Sequence, residues 1–543
     1  MGMWSGKQDR QDGDQEEVQS TRSTPSSRRN NNTREPDERQ PLLRQSRPPN
    51  SDGYLDPDDP AVSPYNLWSV RILRFFTVFF LMISFVWWVL LLVSIFISPP
   101  GMHSRGSGFF DFAYTCLTLG ILLVALIFFT QPAKALRISI AVVLVLLVID
   151  MIIILAVSRI RLEEGWVGIA SVVWAVFIAA WCILTDRVVA YGKKEEEERL
   201  TGRAETRRTL KEWLAVLVAT IFTVVFVIIA LLMTSTLGIR TRDSTLSLYG
   251  DRVYVDGDKY QVHIACVGNV SYTGKQKDVT ILLEAGEDPL EYDFEHWAYS
   301  AYQNGTISRY CYWDRPGYAW SDNAPSPHSA GMSADALSEA LAKQGEEGPW
   351  ILVSAGSGSI VSRIFSSRHL KQVTGIMLVD PLHEDLLHRI GSPSRGFLLW
   401  AWGIISPLGI ERLGGALFKG RTRQDRVYGR NAYQSGKFIK AQLQENLVAD
   451  SLSKNEVVSA RNIQSSDTPV VIVSSGIKTR TDDEWERKQR DLTKLTDNLV
   501  SWDIVNKAPH KVWDTLDGRT IMEKRLKALI NAASKTQTPV QVD

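Results

Sequence analysis

Five stretches of the chain are almost continuously apolar, near residues 74–98, 109–129, 138–158, 165–185 and 213–236. Each reaches the roughly 20 residues that an α-helix needs to cross the hydrocarbon core of a bilayer. Helices on the surface of a soluble domain carry a polar face instead, so the pattern predicts five membrane spans. Trp166, Tyr191 and Trp213 stand at span ends, the level at which aromatic rings meet lipid headgroups. Ahead of the spans, residues 1–66 are rich in Arg, Gln, Ser, Asn, Pro and Asp and nearly free of aliphatic side chains, which predicts a disordered tail. This tail has neither the apolar core of a signal peptide nor the acid-poor composition of a mitochondrial presequence.

Beyond about residue 245 the periodicity changes. Arg252–Cys266 reads as two strands joined at Asp256-Gly257, a strong hairpin signal. Short apolar runs at 279–283, 308–313, 350–353, 375–379 and 469–473 suit strands buried on both faces. Helix-like segments such as 333–344 and 360–370 lie between them. Strands alternating with helices predict a mostly parallel α/β domain over 239–535, with the spans occupying 67–238 and a short tail at 536–543.

Charge orients the spans. With the N-terminal tail in the cytoplasm, the inner segments hold Arg71, Arg74, Lys134, Arg137 and a basic loop from Arg187 to Lys211, against only Arg105, Arg159 and Arg161 outside. The positive-inside bias therefore favours a cytoplasmic tail, and five spans put the α/β domain on the far, lumenal side. Two glycosylation sequons, at Asn269 and Asn304, fit that side. In the tail, Glu38, Leu42 and Leu43 resemble an acidic di-leucine sorting signal for vacuoles or lysosomes. Together these readings favour the vacuole or secretory pathway, with a mitochondrial membrane as the alternative. Asp150, in the third span, reads either as part of an ion or proton path or as a protonated acid bonded to a neighbouring helix. A net charge of +1 without a basic stripe argues against nucleic acid. Four cysteines without CxxC spacing, and no phosphate-cradling glycine loop, predict neither a metal site nor a cofactor.

Candidate chemistry centres on Trp350-Ile-Leu-Val-Ser-Ala-Gly-Ser-Gly-Ser359. An apolar run that breaks into small residues ahead of a helix has the strand–turn–helix form of a nucleophile elbow, G-x-S-x-G. Here the elbow falls on Ser354–Gly358, and the nucleophile position holds Gly356. Four further segments occur in matching order. Leu283-Glu-Ala-Gly286 resembles the turn after strand 3 that carries part of an oxyanion hole. Tyr312–Asp322 resembles "YDRxGYGxSD", Leu378–Asp385 resembles "LVDPxHED", and Ala508-Pro-His510 falls where an "SGH" turn carries a catalytic histidine. Taken together, the domain resembles the α/β-hydrolase superfamily over nearly its whole length. The five-span arrangement resembles an uncharacterised fungal family of multi-span membrane proteins.

The resemblance implies roles. His510 takes the base position. Asp380 takes the alternative acid position after strand 6, since the turn after strand 7 offers no acid at the usual spacing. Ala285 and Gly286 fall in the oxyanion region. In the superfamily's strand order, strands 2 and 4 are neighbours, and the resemblance thus implies a Cys266–Cys311 disulfide, which requires an oxidising compartment. Gly356 cannot attack a carbonyl. Ser357 is the substitute nucleophile, but from one position along the turn it points away from the place His510 serves. The expectations are thus a non-catalytic hydrolase-like domain, an atypical serine hydrolase using Ser357 with His510, or a transport role for the spans. The apolar segment 397–405 would belong to a cap over the pocket. It points to membrane lipid as a partner and to a hydrophobic or lipid-like ligand.

Overall fold

The computed structural model of the chain describes residues 64–202, 209–273 and 276–537. The sorting-signal residues Glu38, Leu42 and Leu43 lie outside the described residues, as do 538–543. Five helices are long and apolar enough to cross a membrane: α1 (Trp68–Phe96), α2 (Phe109–Ile127), α3 (Lys134–Ala156), α4 (Ser158–Thr201) and α5 (Leu210–Ser244). Helix α3 packs on α4 and α5, and α2 packs on α1 and α4, around a core that includes Tyr114, Leu147, Val172 and Met233. Asp150 is fully buried in this bundle, where its Oδ2 accepts a hydrogen bond of 3.1 Å from the Tyr114 hydroxyl on α2.

Helix α4 is longer than its apolar run. It begins ahead of Gly165, whose φ of +63° bends it, and it continues through the charged segment to Thr201. That segment reads as loop by composition, yet Lys193–Glu197 and Lys194–Glu198 pair one turn apart at 3.7 Å each, which supports a solvent-facing helix.

One sheet of eight strands follows: β1 (Asp251–Val255), β2 (Tyr260–Val267), β3 (Thr280–Glu284), β4 (Tyr310–Trp313), β5 (Trp350–Ala355), β6 (Val373–Val379), β7 (Val470–Ser475) and β8 (Leu499–Val505). Their spatial order is β1-β2-β4-β3-β5-β6-β7-β8. Strand β2 runs antiparallel to β1 and β4, and every other neighbouring pair is parallel. This order and these directions are those of the α/β-hydrolase fold. Cys266 on β2 and Cys311 on β4 are register partners and form a disulfide.

The short apolar runs are strands because helices cover both faces of the sheet. Helices α6 (Phe294–Gln303) and α14 (Leu516–Gln537) seal one face, with Trp297, Met522 and Leu526 packed on Ile351 and Val353. The other face is covered by α7 (Ala330–Lys343), α8 (Gly358–Arg368), α12 (Lys454–Ile463) and α13 (Asp483–Leu492), with Leu337, Ile364 and Trp485 in its core. All six residues of β5 are buried.

Between β6 and β7 the cap is built from α9 (Pro393–Ile405), α10 (Ile410–Phe418) and α11 (Gly436–Val448). Leu399, Trp400 and Ile404 of α9 join Ile439 and Leu443 of α11 in one apolar cluster with Leu91, Ile95, Phe109 and Phe112 of the spans. The cap is therefore seated on the membrane helices. Phe397 and Leu398 remain exposed beside this contact.

Candidate functional site

Strand β5 ends at Ala355, and the chain turns through Gly356 directly into α8. Gly356 holds a φ of +45°, the left-handed conformation that a nucleophile elbow imposes. Its N–H donates to Val379 O at 3.1 Å, and its carbonyl accepts from Leu382 N at 2.9 Å, which ties the turn to the end of β6. Two residues on, Gly358 is sterically required: a Cβ there would lie 1.9 Å from Ala285 O. The elbow's backbone is therefore intact, and close packing fixes where a side chain at position 356 would point.

That direction is occupied. A Cβ on Gly356 would meet the Glu287 carboxylate, 2.6 Å from Oε2 and 2.8 Å from Oε1. Glu287 follows the β3 turn at Ala285-Gly286 and reaches back over the elbow. Its Oε1 accepts the Ser357 backbone N–H at 3.1 Å, and its Oε2 stands 3.2 Å from His510 Nε2. In this fold the N–H after the nucleophile is an oxyanion donor. Glu287 thus places one carboxylate oxygen on that donor and the other on the histidine.

On its other side His510 Nδ1 bonds Asp380 Oδ2 at 2.5 Å. Asp380 is fully buried, and its Oδ1 accepts from Ser475 N and from Trp485 Nε1, both at 3.0 Å. Its φ of +42° is unusual for a non-glycine residue, and the donors around it hold the strained turn in place. Burial disfavours charge on His510, but its bonds to Asp380 and Glu287 outweigh that and raise the imidazole from 6.5 to about 9. Packing around the Glu287 carboxyl favours its neutral form. The His510 bond and charge, with the N–H groups of Glu287 and Ser357, oppose this and hold it down at about 2. Lys478 Nζ lies 3.5 Å from His510 Nδ1, with its own ammonium depressed by burial. At neutral pH the site is an imidazolium between two carboxylates, with both N–H donors engaged. A general base needs a free lone pair on that ring.

The other candidate residues are placed as follows. Ser354 Oγ is buried without a hydrogen bond, under the elbow. Ser357 presents its N–H to Glu287, while the residue borders a separate cavity of about 40 Å³ shared with Arg315, Ser333 and Glu445. Ala285 and Gly286 form the turn beneath Glu287, and Arg315 of the turn after β4 donates to the Gly286 carbonyl. Asn269 and Asn304 are both exposed. His263, Glu291 and Asp314 place ligand atoms within 4.8 Å of one another, close enough to hold a cation together. His263 already bonds Asp314 and the Tyr249 carbonyl, each at 2.7 Å. Glu287 is the site residue that sequence reasoning missed. Its one local signal was an acid directly after the recognised Leu283–Gly286 turn.

A family model described as a region of unknown function (DUF2417) matches residues 38–266, which include all five spans, the first strand and most of the second. An uncharacterised protein of Schizosaccharomyces pombe is 33% identical over 515 residues, covering 89% of this chain and 93% of that protein. The chain belongs to the family of that fission-yeast protein. An uncharacterised vacuolar membrane protein of Saccharomyces cerevisiae is 30% identical over 329 residues, about half of each chain (52% and 51%). Among solved structures, an α/β-hydrolase enzyme from a Medee basin deep-sea metagenome library is 12% identical, with a TM-score of 0.38 over 54% of this chain and 99% of that one. A putative ancestral haloalkane dehalogenase is 11% identical, with a TM-score of 0.37 over 52% and 99%. Within the family, this chain joins five spans to an α/β-hydrolase fold whose strand order alone identifies it.

Proposed function

We propose that the α/β domain is a non-catalytic hydrolase-fold module, fastened to the lumenal face of an endomembrane by its cap and devoted to binding rather than turnover. One observation carries this reading: the Glu287 carboxylate occupies the space a nucleophile at position 356 would fill, while bonding the Ser357 N–H and His510. Acyl transfer needs an attacking group, a base able to take its proton, and an open oxyanion site. Gly356 removes the attacking group, and the Glu287 carboxylate engages both the base and the oxyanion donor. The exposed Phe397 and Leu398 beside the cap's seat on the spans support contact with membrane lipid and a lipid-like ligand. The vacuolar membrane relative supports an endomembrane placement, and the disulfide supports an oxidising lumen. Asp150, bonded to Tyr114 inside the bundle, supports a structural rather than a transport role for that acid.

The test is reaction of the full-length protein in membranes with a fluorophosphonate probe. The wild type should not label, and Gly356→Ser alone should label weakly, because Glu287 still engages the Ser357 N–H and His510. Gly356→Ser combined with Glu287→Gly should label, since it restores a hydroxyl beside a freed His510. Wild-type labelling that disappears in Ser357→Ala and survives Ser354→Ala would overturn the proposal in favour of an atypical serine hydrolase.

A further inference from the structure

A second site lies away from the elbow, where the ends of α4 and α5 meet β1 and the cap. A cavity of about 80 Å³ there is lined by Arg159, Arg240, Arg252, Arg412, Arg426 and Lys437. That is the volume of roughly two or three waters, or of one compact tetrahedral ion. Buried charges are ordinarily paired, and these are paired incompletely. Glu163 takes Arg159 at 3.1 Å and Arg240 at 2.9 Å, with Lys437 at 3.7 Å. Glu164 takes Arg240 at 2.6 Å, and Asp322 takes Arg159 at 2.5 Å. Asp243 is shared by Arg412 at 3.1 Å and Arg426 at 2.6 Å.

Among the described residues, then, six cations meet four paired carboxylates, an excess of two positive charges. Asp111, which lies beside Glu164 and does not line the cavity, leaves an excess of one even when counted as ionised. Arg252 forms no ion pair among the described residues. It donates to the Trp320 carbonyl at 3.1 Å and lies over that residue's ring.

Two buried polar groups point to what is missing. Arg412 Nε and Thr236 Oγ1 belong to cavity-lining residues that are 7% and 1% exposed, and neither atom has a hydrogen-bond partner. Leaving such groups unsatisfied costs about 1–3 kcal/mol each, more for the charged one. Burial also weakens two of these cations. Burial, with Arg240 and Arg426 nearby, lowers Arg412 to about 10, and burial lowers Lys437 to about 8. Guanidinium forks lining a compact, net-positive space match a tetrahedral oxyanion better than a monovalent halide.

We propose that this cavity binds a phosphate dianion, carried either by the free ion or by the phosphomonoester headgroup of a lipid, which neutralises the cations that join the spans to the cap. The site is independent of the elbow and of whether the domain turns over substrate. The experiment uses the full-length protein in a neutral maltoside detergent, with thermal unfolding followed by tryptophan fluorescence. One arm titrates inorganic phosphate against chloride at constant ionic strength. The other adds short-chain phosphatidic acid, with short-chain phosphatidylcholine as control.

A saturable rise in unfolding temperature is expected in at least one arm. Arg252→Gln and Arg412→Gln should each weaken it at least tenfold. Both variants should fold, because Arg252 holds no carboxylate and Asp243 keeps Arg426, and Arg252→Lys, which keeps the charge, should retain most of the response. A response to inorganic phosphate identifies the free ion as sufficient, and a response to phosphatidic acid alone identifies the headgroup. No response in either arm, or the same response in wild type and both Gln variants, overturns the proposal.

Discussion

Replacing Glu287 with Gln isolates the charge that closes the elbow while keeping its shape, since the amide oxygen can still accept the Ser357 N–H. In the native site the imidazolium of His510 is favoured by two carboxylates. A histidine raised from 6.5 to about 9 contributes stability that is fully present below pH 6.5 and lost as pH rises through about 9. The full displacement corresponds to at most about 3.4 kcal/mol. His510 and Glu287 side chains are 31% and 48% open to solvent, so screening reduces this to about 1–2 kcal/mol. Glu287→Gln should move the alkaline loss down by about one pH unit, because Asp380 alone then holds the proton.

The assay is apparent unfolding temperature against pH for the full-length protein in detergent. Lys437, Lys440 and Glu284 also titrate near this window, at about 8, 7 and 8. The informative quantity is therefore the difference between wild type and Glu287→Gln. Repeating the substitution in a His510→Gln background should abolish that pH-dependent difference, since the two side chains then share no titration. An identical alkaline limb in wild type and Glu287→Gln would refute the imidazolium clamp.

Three further outcomes are expected. Reduction, or Cys266→Ser with Cys311→Ser, should cost about 3–4 kcal/mol by the entropy of closing a loop of separation 45, read as a fall in unfolding temperature with and without dithiothreitol. Arg159→Met should cost about 1–3 kcal/mol because Asp322 Oδ1 loses its charged donor, and adding Asp322→Asn should recover most of the loss. A lumenal domain should carry glycan chiefly on Asn269, since the Asn304 amide donates to Glu523 at 3.3 Å. Endoglycosidase should thus shift the wild type but not Asn269→Gln, and no shift, with the C-terminus open to protease in intact vesicles, would refute the orientation.

Much of this architecture is legible in the sequence because it is written locally. Strand β5 is a continuous apolar run since both its faces are covered, and the turns at 312–322, 378–385 and 508–510 carry their own residue patterns. Gly356 is legible for the same reason. Glu287 is not, because its meaning depends on a reach from the β3 turn to an elbow some seventy positions away (|i−j| = 70 for its bond to Ser357). The charged end of α4 reads as loop from composition and is helix through its pairs one turn apart. Arg159, counted at first as a topology marker, is an ion-pair partner for Asp322 across a separation of 163. No window of sequence shows such a contact.

The fastening of the cap to the spans also sets a timetable for making the protein. Asp243, at the end of the last span, is translated and placed long before its partners Arg412 and Arg426, which follow 169 and 183 residues later. At about 5–20 residues per second that interval is on the order of ten to thirty-five seconds. Through it, the helical bundle presents Asp243 without the two guanidiniums that later pair with it. A chain that stops short of the cap leaves that carboxylate without the two guanidiniums that anchor the finished one.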